Sequence, residues 1–215
     1  MDYPEERIKS IYDRASSAPT FLSWYAEEIL TGMKIYREKA VSYLHLTDKS
    51  IVLDVACGVG FNFNFIENYL NNNGKIVGVD ISPKTIALAK KLAVKQRWTN
   101  IEFVNMSIMD YELKFFFDAA ICTQAMEIIP EDAVNKIFQM LKPQGRFAMI
   151  GMKISSRIPY NRMLNLLIEC FAKSGGIDIR RDVYKYIQSK YSKVSYEEFL
   201  GGFYYILSTS KSCLI

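Results

Sequence analysis

The segment Asp54-Val55-Ala56-Cys57-Gly58-Val59-Gly60 places a carboxylate four residues ahead of a glycine-rich turn. Gly58 and Gly60 let the backbone pass close to a ligand, and the first N–H groups of a helix that follows would point at it. A second acid, Asp80, comes 26 residues after Asp54. At the end of a second strand, such an acid accepts hydrogen bonds from the two hydroxyls of a ribose.

Two cofactor chemistries compete for this arrangement. A dinucleotide fold wants G-x-G-x-x-G with the helix N-terminus facing a pyrophosphate. Here the third position is Phe63, and Asp54 would repel an anion at the turn. A ligand with a cationic end resolves the conflict. S-adenosyl-L-methionine carries an ammonium and a sulfonium as well as a ribose and an adenine, so two acids at two strand ends match its two halves. The alternative is a glycine turn without a ligand.

The elements that must position these residues follow from periodicity. Ile51 to Ala56 is a short, β-branched apolar run that predicts a buried strand, and a helix is expected from Phe61 to about Leu70. Asn71-Asn72-Asn73-Gly74 is a turn, and Lys75 to Asp80 a second buried strand. Ser82-Pro83 pairs a helix cap with proline at the first helical position, opening a helix to about Lys95. Strands are expected at 101–105, 116–123 and 146–152, with a helix from Pro130 closing near Leu141 to Gly145. Strands alternating with helices give a parallel sheet covered on both faces. Before residue 50 the pattern is helical, with Ile8, Ile11 and Tyr12 on one face. After residue 152 come an apolar helix around Met163 to Phe171, a Tyr/Lys-rich helix near 182–191, and two extended segments near 194–199 and 203–209. Gly201-Gly202 reverses the chain between those segments.

Val52 to Gly60, then Ile76 to Ser82, then Phe117 to Cys122, then Leu141 to Phe147 resemble the successive motifs of class I S-adenosylmethionine-dependent methyltransferases, in order and at the usual spacing. The whole chain is most similar to the ubiquinone/menaquinone and phosphatidylethanolamine methyltransferase group. The resemblance implies an α/β, Rossmann-like three-layer sandwich with a seven-stranded, mostly parallel sheet, its last strand inserted antiparallel beside the fifth. It divides the single domain 1–215 into a helical lid (1–50), a cofactor-binding core (51–152), and acceptor-side helices with a terminal hairpin (153–215).

It also implies roles. Asp54 orients the glycine loop and faces the methionine end, directly or through water. Ala56, Gly58 and Gly60 offer backbone to the amino-acid moiety. Asp80 holds the ribose, with Ile81 packing on the adenine and Ile108 flanking it. Many members have an acid after the third strand that accepts from the adenine amino group; this chain has Ser107 there, with Asp110 as a substitute three residues on. Thr123 begins the loop that borders sulfonium and acceptor. Tyr12 stands where an aromatic closes over the methionine end in quinone and phospholipid methyltransferases, or is a core tyrosine.

Methyl transfer is an in-line displacement in which alignment and exclusion of water carry most of the catalysis. Glu127 reads either as a base or as a solvated loop acid. Trp24, Tyr25 and Tyr160 line an acceptor pocket or fill core, and His45 is a helix-end residue. No Asn/Asp-Pro-Pro-aromatic tetrapeptide and no Pro-Cys nucleophile occur, which disfavours exocyclic-amine and cytosine C5 methylation of DNA.

Composition narrows the classes further. Half of the 215 residues are apolar and 23% are charged, a globular balance. Four dispersed cysteines and a single histidine disfavour a metal cluster, a disulfide framework and a Ser-His-Asp hydrolase, and fit a reducing cytoplasm. The N-terminus lacks the pattern of a secretory signal, and no run approaches a membrane span.

Residues 1–150 hold 17 basic and 18 acidic side chains; residues 151–215 hold 10 and 5. That basic C-terminal third is either a solvated face or a surface for peripheral contact with an anionic membrane. Between 153 and 192 it mixes apolar residues (Ile154, Ile158, Leu164, Leu167) with Arg157, Arg162, Lys173, Arg180 and Arg181, which suits a small or lipid-like methyl acceptor bearing an anionic group. An RNA methyltransferase ranks below this, because no separate nucleic-acid module is visible. A non-catalytic S-adenosylmethionine-binding protein ranks below it too, because both acids and the glycines are intact.

Overall fold

The structure is a computed structural model. It describes residues 5–16, 28, 30–114, 116–155, 165–166, 169–170, 172–173 and 176–213. The described elements are α1 (Glu5–Ala15), α2 (Met33–Ser42), β1 (Ile51–Val55), α3 (Phe63–Leu70), β2 (Lys75–Asp80), α4 (Pro83–Gln96), β3 (Ile101–Asn105), β4 (Phe117–Thr123), α5 (Asp132–Met140), β5 (Leu141–Met152), α6 (Val183–Gln188), β6 (Ser195–Phe199) and β7 (Tyr204–Ser210).

Seven strands form one sheet in the order β3-β2-β1-β4-β5-β7-β6. The first five pair in parallel, and β7 is antiparallel to both β5 and β6. This is the expected Rossmann-like sandwich with its last strand inserted beside the fifth. Strand alternation sorts the core into two layers. Val52, Ile76 and Ile121 face α2, α3 and α4, while Leu53, Val77 and Phe147 face α5 and α6. Both faces are buried, which is why β1 and β2 read as continuous apolar runs.

Local chemistry agrees with the elements. Ser82 caps α4 by accepting from the Thr85 N–H, with proline at the first turn. One boundary differs from the sequence expectation. Strand β5 already begins at Leu141, paired to Phe117, and the register then shifts so that Ala119 pairs with Arg146. The chain doubles back between them so tightly that a Cβ on Gly145 would lie 2.9 Å from Leu141 Cβ. His45 is exposed at the end of α2 with φ 51°, the expected helix-end residue. The apolar helix expected at 163–171, and the residues Trp24, Tyr25, Arg157, Ile158, Tyr160, Arg162, Leu164 and Leu167, lie wholly or mostly outside the described residues. No helix among the described residues is long and apolar enough to cross a membrane.

Candidate active site

The crossovers leaving β1 and β4 run to opposite faces of the sheet, one to α3 and the other toward α5. In open α/β sheets the crevice outside such a switch point is the ligand site. A cavity of about 690 Å³ occupies it and runs along the carboxyl ends of four strands. Its wall takes Ser107 and Ile108 after β3, Asp80 and Ile81 at β2, Ala56 to Val59 after β1, and Thr123 to Ala125 after β4. Ala56 (φ 52°) and Gln124 (φ 59°) are left-handed at non-glycine residues, a strain that concentrates at functional sites. Gly58 (φ 55°) has nothing within 4 Å of a built Cβ, so the cradle there is open to a ligand.

Of the residues singled out from the sequence, Tyr12, Ala56, Gly58, Asp80, Ile81, Ser107, Ile108 and Thr123 share this wall. Asp54 and Gly60 are not on it. Gly60 (φ 88°) makes the tight turn into α3, where a Cβ would strike the Phe63 ring at 2.5 Å. Asp54 is fully buried and accepts from Asn62 Nδ2 at 3.0 and 3.2 Å. Burial pushes its pKa up to about 7, against the pull of the Asn62 hydrogen bond and the Arg37 charge.

Asp80 is held more firmly. Its Oδ2 accepts from the Gly58 N–H at 2.9 Å, and its Oδ1 accepts from the Ser82 N–H at 2.8 Å and Thr85 Oγ1 at 2.9 Å. Burial raises its pKa despite these bonds. The Thr85 hydroxyl also reaches the Ser82 carbonyl at 2.9 Å. Its single proton can turn there, freeing an Oδ1 lone pair beside the one left on Oδ2. Asp80 therefore has room for two hydroxyl donors.

The sequence reading missed Arg37, Asn62 and Glu28. Arg37 is 4% exposed. Its Nη1 donates to Asn62 Oδ1 at 3.0 Å and to Thr123 Oγ1, its Nη2 to Gln124 Oε1 at 2.6 Å, and its Nε to Glu28 Oε1 at 2.7 Å. Asn62 thus bridges a buried cation and a buried carboxylate. A signal existed: Met33, Arg37, Ala40, Val41 and Leu44 share one helical face, and an arginine on an apolar face needs a partner. Which partners it finds is not legible in sequence.

Two further placements complete the picture. Asp110 is exposed and off the wall, whereas the Ser107 hydroxyl faces α1 and donates to Glu5 Oε1. Glu127 is not a solvated loop acid, as one sequence reading had it. It is 2% exposed and off the cavity wall, and accepts from the Met152 N–H at 2.9 Å and the Tyr205 hydroxyl at 3.2 Å. Burial pushes it up to about 7 as well, against those hydrogen bonds.

A family described as methyltransferase domain matches residues 46–191. The chain belongs to that family. This methyltransferase is 28% identical over 184 residues to the demethylmenaquinone methyltransferase of Lactococcus lactis subsp. lactis, covering 79% of this chain and 71% of that protein. It is 23% identical over 149 residues to the 2-phytyl-1,4-naphtoquinone methyltransferase of Thermosynechococcus vestitus, covering 67% and 61%. Its fold is shared with geranyl diphosphate C-methyltransferase from Streptomyces coelicolor, with a TM-score of 0.65 at 12% identity, covering 82% of this chain and 75% of that one.

The methyltransferase uses S-adenosylmethionine, which supplies an electrophilic methyl group on a sulfonium. The wall fits it. The open Gly58 cradle and the two free lone pairs of Asp80 would take the backbone approach and the ribose. A methionine end carries an ammonium and a carboxylate; the wall holds the Arg37–Glu28 ion pair, one charge of each sign, with Asp54 behind it and joined to Arg37 through Asn62. That pairing refines the expectation of a purely cationic match.

Proposed function

We propose that this methyltransferase acts on a small acceptor with an apolar body, of the quinone-precursor or lipid-like class. The observation that carries this is the composition of the wall beyond the strand ends: Met33, Phe61, Ile128, Ile129, Ala172 and Ile177. The charged residues on the described wall are Glu5, Glu28, Arg37 and Asp80, and the one cation among them is already paired with Glu28. Such a wall offers little to a polyphosphate backbone, which needs several lysines or arginines. The names of the two quinone-methylating relatives support the same class.

In this reading the residues do three things. Asp80, the glycine loop and the Arg37–Asn62–Asp54 relay fix the cofactor. Apolar side chains align the acceptor and keep water out. Glu28, on the wall, carries a carboxylate able to take a proton from an acceptor that retains one, and the Tyr12 hydroxyl, also on the wall, can hydrogen-bond that acceptor. The segment before residue 50 acts as the lid, with α1 and α2 as its described helices. The protein works in the cytoplasm, with the basic C-terminal third resting on anionic membrane when the acceptor is a lipid.

Transfer of tritiated methyl from S-adenosylmethionine tests the reading over four acceptors: a short-chain demethylated naphthoquinol, geranyl diphosphate, phosphatidylethanolamine vesicles and bulk RNA. Label is expected in the naphthoquinol. Label confined to RNA would overturn the acceptor class. No label anywhere, with cofactor binding intact, would favour the non-catalytic alternative.

A further inference from the structure

We propose that Glu5, in the first turn of α1, reads the exocyclic amine of the cofactor's adenine, so that α1 is a specificity element for the base. The inference rests on S-adenosylmethionine as the cofactor and is independent of the acceptor.

The placement follows from the sheet. Asp80 marks the ribose at the end of β2, and the next strand outward is β3. The base therefore extends over the β2–β3 edge, where Ile81 and Ile108 offer apolar surface on the cavity wall. Adenine has apolar faces and a polar edge, and its amino group needs an acceptor if it is to be told from another purine. Two polar side chains stand on the wall at this end, Ser107 and Glu5.

Ser107 is a poor candidate. Its one proton goes to Glu5 Oε1, and one of its lone pairs takes the Met109 N–H at 3.2 Å. The carboxylate of Glu5 keeps further lone pairs and a full charge, and a charged acceptor binds an N–H donor more strongly than a hydroxyl does. Ser107 thus orients Glu5, and Glu5 faces the ligand.

The helix is fixed firmly enough to hold that carboxylate. At its other end Asp13 accepts from Ser82 Oγ at 2.6 Å, beside Asp80. Midway, Ile8 is buried and packs over Gly176, where a Cβ would come within 2.6 Å of Ile8 Cδ1. Two acids of α1, eight residues apart, therefore grip two hydroxyls that flank the nucleoside half of the cavity.

A carboxylate accepts from a 6-amino group and repels a 6-oxo group, so it discriminates by sign. Calorimetry on the full chain with S-adenosylhomocysteine, its 6-oxo counterpart S-inosylhomocysteine, and the analogue with hydrogen at purine C6 tests this. The wild type is expected to prefer the 6-amino ligand over the 6-oxo one by roughly tenfold, the scale of one charge-assisted hydrogen bond. Glu5→Ala should bring the three ligands close to equal affinity. Glu5→Gln, which offers both an acceptor and a donor, should bind the 6-oxo ligand better than the wild type does. Asp110→Asn should leave the preference unchanged. A Glu5→Ala variant that weakens all three ligands by the same factor would show α1 to be a cover only and overturn the proposal. So would a preference lost in Asp110→Asn, or a wild type that binds all three equally. A folded wild type that binds none would overturn the cofactor reading and this proposal with it. Thermal melts of each variant separate misfolding from a changed preference.

Discussion

Asp54, near the end of β1, and Glu127, beside the end of β5, face nearly the same electrostatic problem. Each is buried to 2% exposure or less, and each is pushed by desolvation to a pKa of about 7. Their partners differ. Asp54 meets the Asn62 amide, which leads through Arg37 to Thr123 and Gln124 on the cavity wall. Glu127 meets the Met152 N–H and the Tyr205 hydroxyl, and so ties the end of β5 to β7. A perturbed carboxylate marks a functional site only when its hydrogen bonds lead to one.

Four substitutions test that contrast, in order of decreasing effect. Arg37→Met should be the most damaging, because it leaves Glu28 and Asn62 facing an apolar side chain. Removing one partner of a buried charge pair costs about 3–5 kcal/mol, readable as a lower urea midpoint at unchanged slope. A stability loss under 1 kcal/mol would mean the relay is dispensable. Asp80→Ala should reduce cofactor affinity by more than tenfold with the fold retained, since hydrogen bonds to a charged acceptor are worth about 1.5–3 kcal/mol each. Unchanged affinity in a folded variant would remove the ribose assignment.

Asp54→Asn should weaken cofactor binding about fivefold at pH 8, because it removes the negative charge behind the wall that orients Asn62 and through it Arg37. A cationic ligand favours the ionised form, so wild-type affinity should rise with pH through about 7, and Asp54→Asn should flatten that rise. Equal pH dependence in both proteins would place the titrating group elsewhere. Glu127→Gln should change cofactor affinity by no more than about twofold, because its hydrogen bonds lead away from the cavity. A larger drop would break the contrast between the two acids.

The two carboxylates should act alike in one measurement, the stability of the ligand-free protein. Both folded pKa values lie above the ordinary 3.8 and 4.5. The folded chain therefore holds more protons than the unfolded chain between those values and about 7. The stability this confers is complete below the ordinary values and is lost as pH rises through about 7. Urea midpoints should fall from pH 5 to pH 8, and less steeply in Asp54→Asn and in Glu127→Gln. A variant whose midpoint falls as steeply as the wild type's would remove that carboxylate's shift.

What the sequence settled by itself is local. Residues 51–60 and 75–83 carry strand, turn, cap and ligand contact in one stretch of backbone, because a parallel strand buried on both faces needs a continuous apolar run and a close backbone approach needs glycine. The order of such units implied a parallel sheet covered on both faces, whereas the antiparallel strand inserted beside the fifth was expected only from the resemblance to class I methyltransferases. The tertiary structure decided everything that depends on separate segments meeting. Arg37 reaches Thr123 and Gln124 across 86 and 87 residues, and Ser107 reaches Glu5 across 102. No periodicity encodes such pairs, since each partner looks like an ordinary polar residue of its own element. Glu127 shows the converse. Its type and its place after β4 suggested a loop acid in solvent or a base, and only the packing of Met152 and Tyr205 around it makes it a buried tie between two strands. A side chain's chemistry is readable from its type; whether it faces a ligand, a strand or water is set by what the fold brings against it.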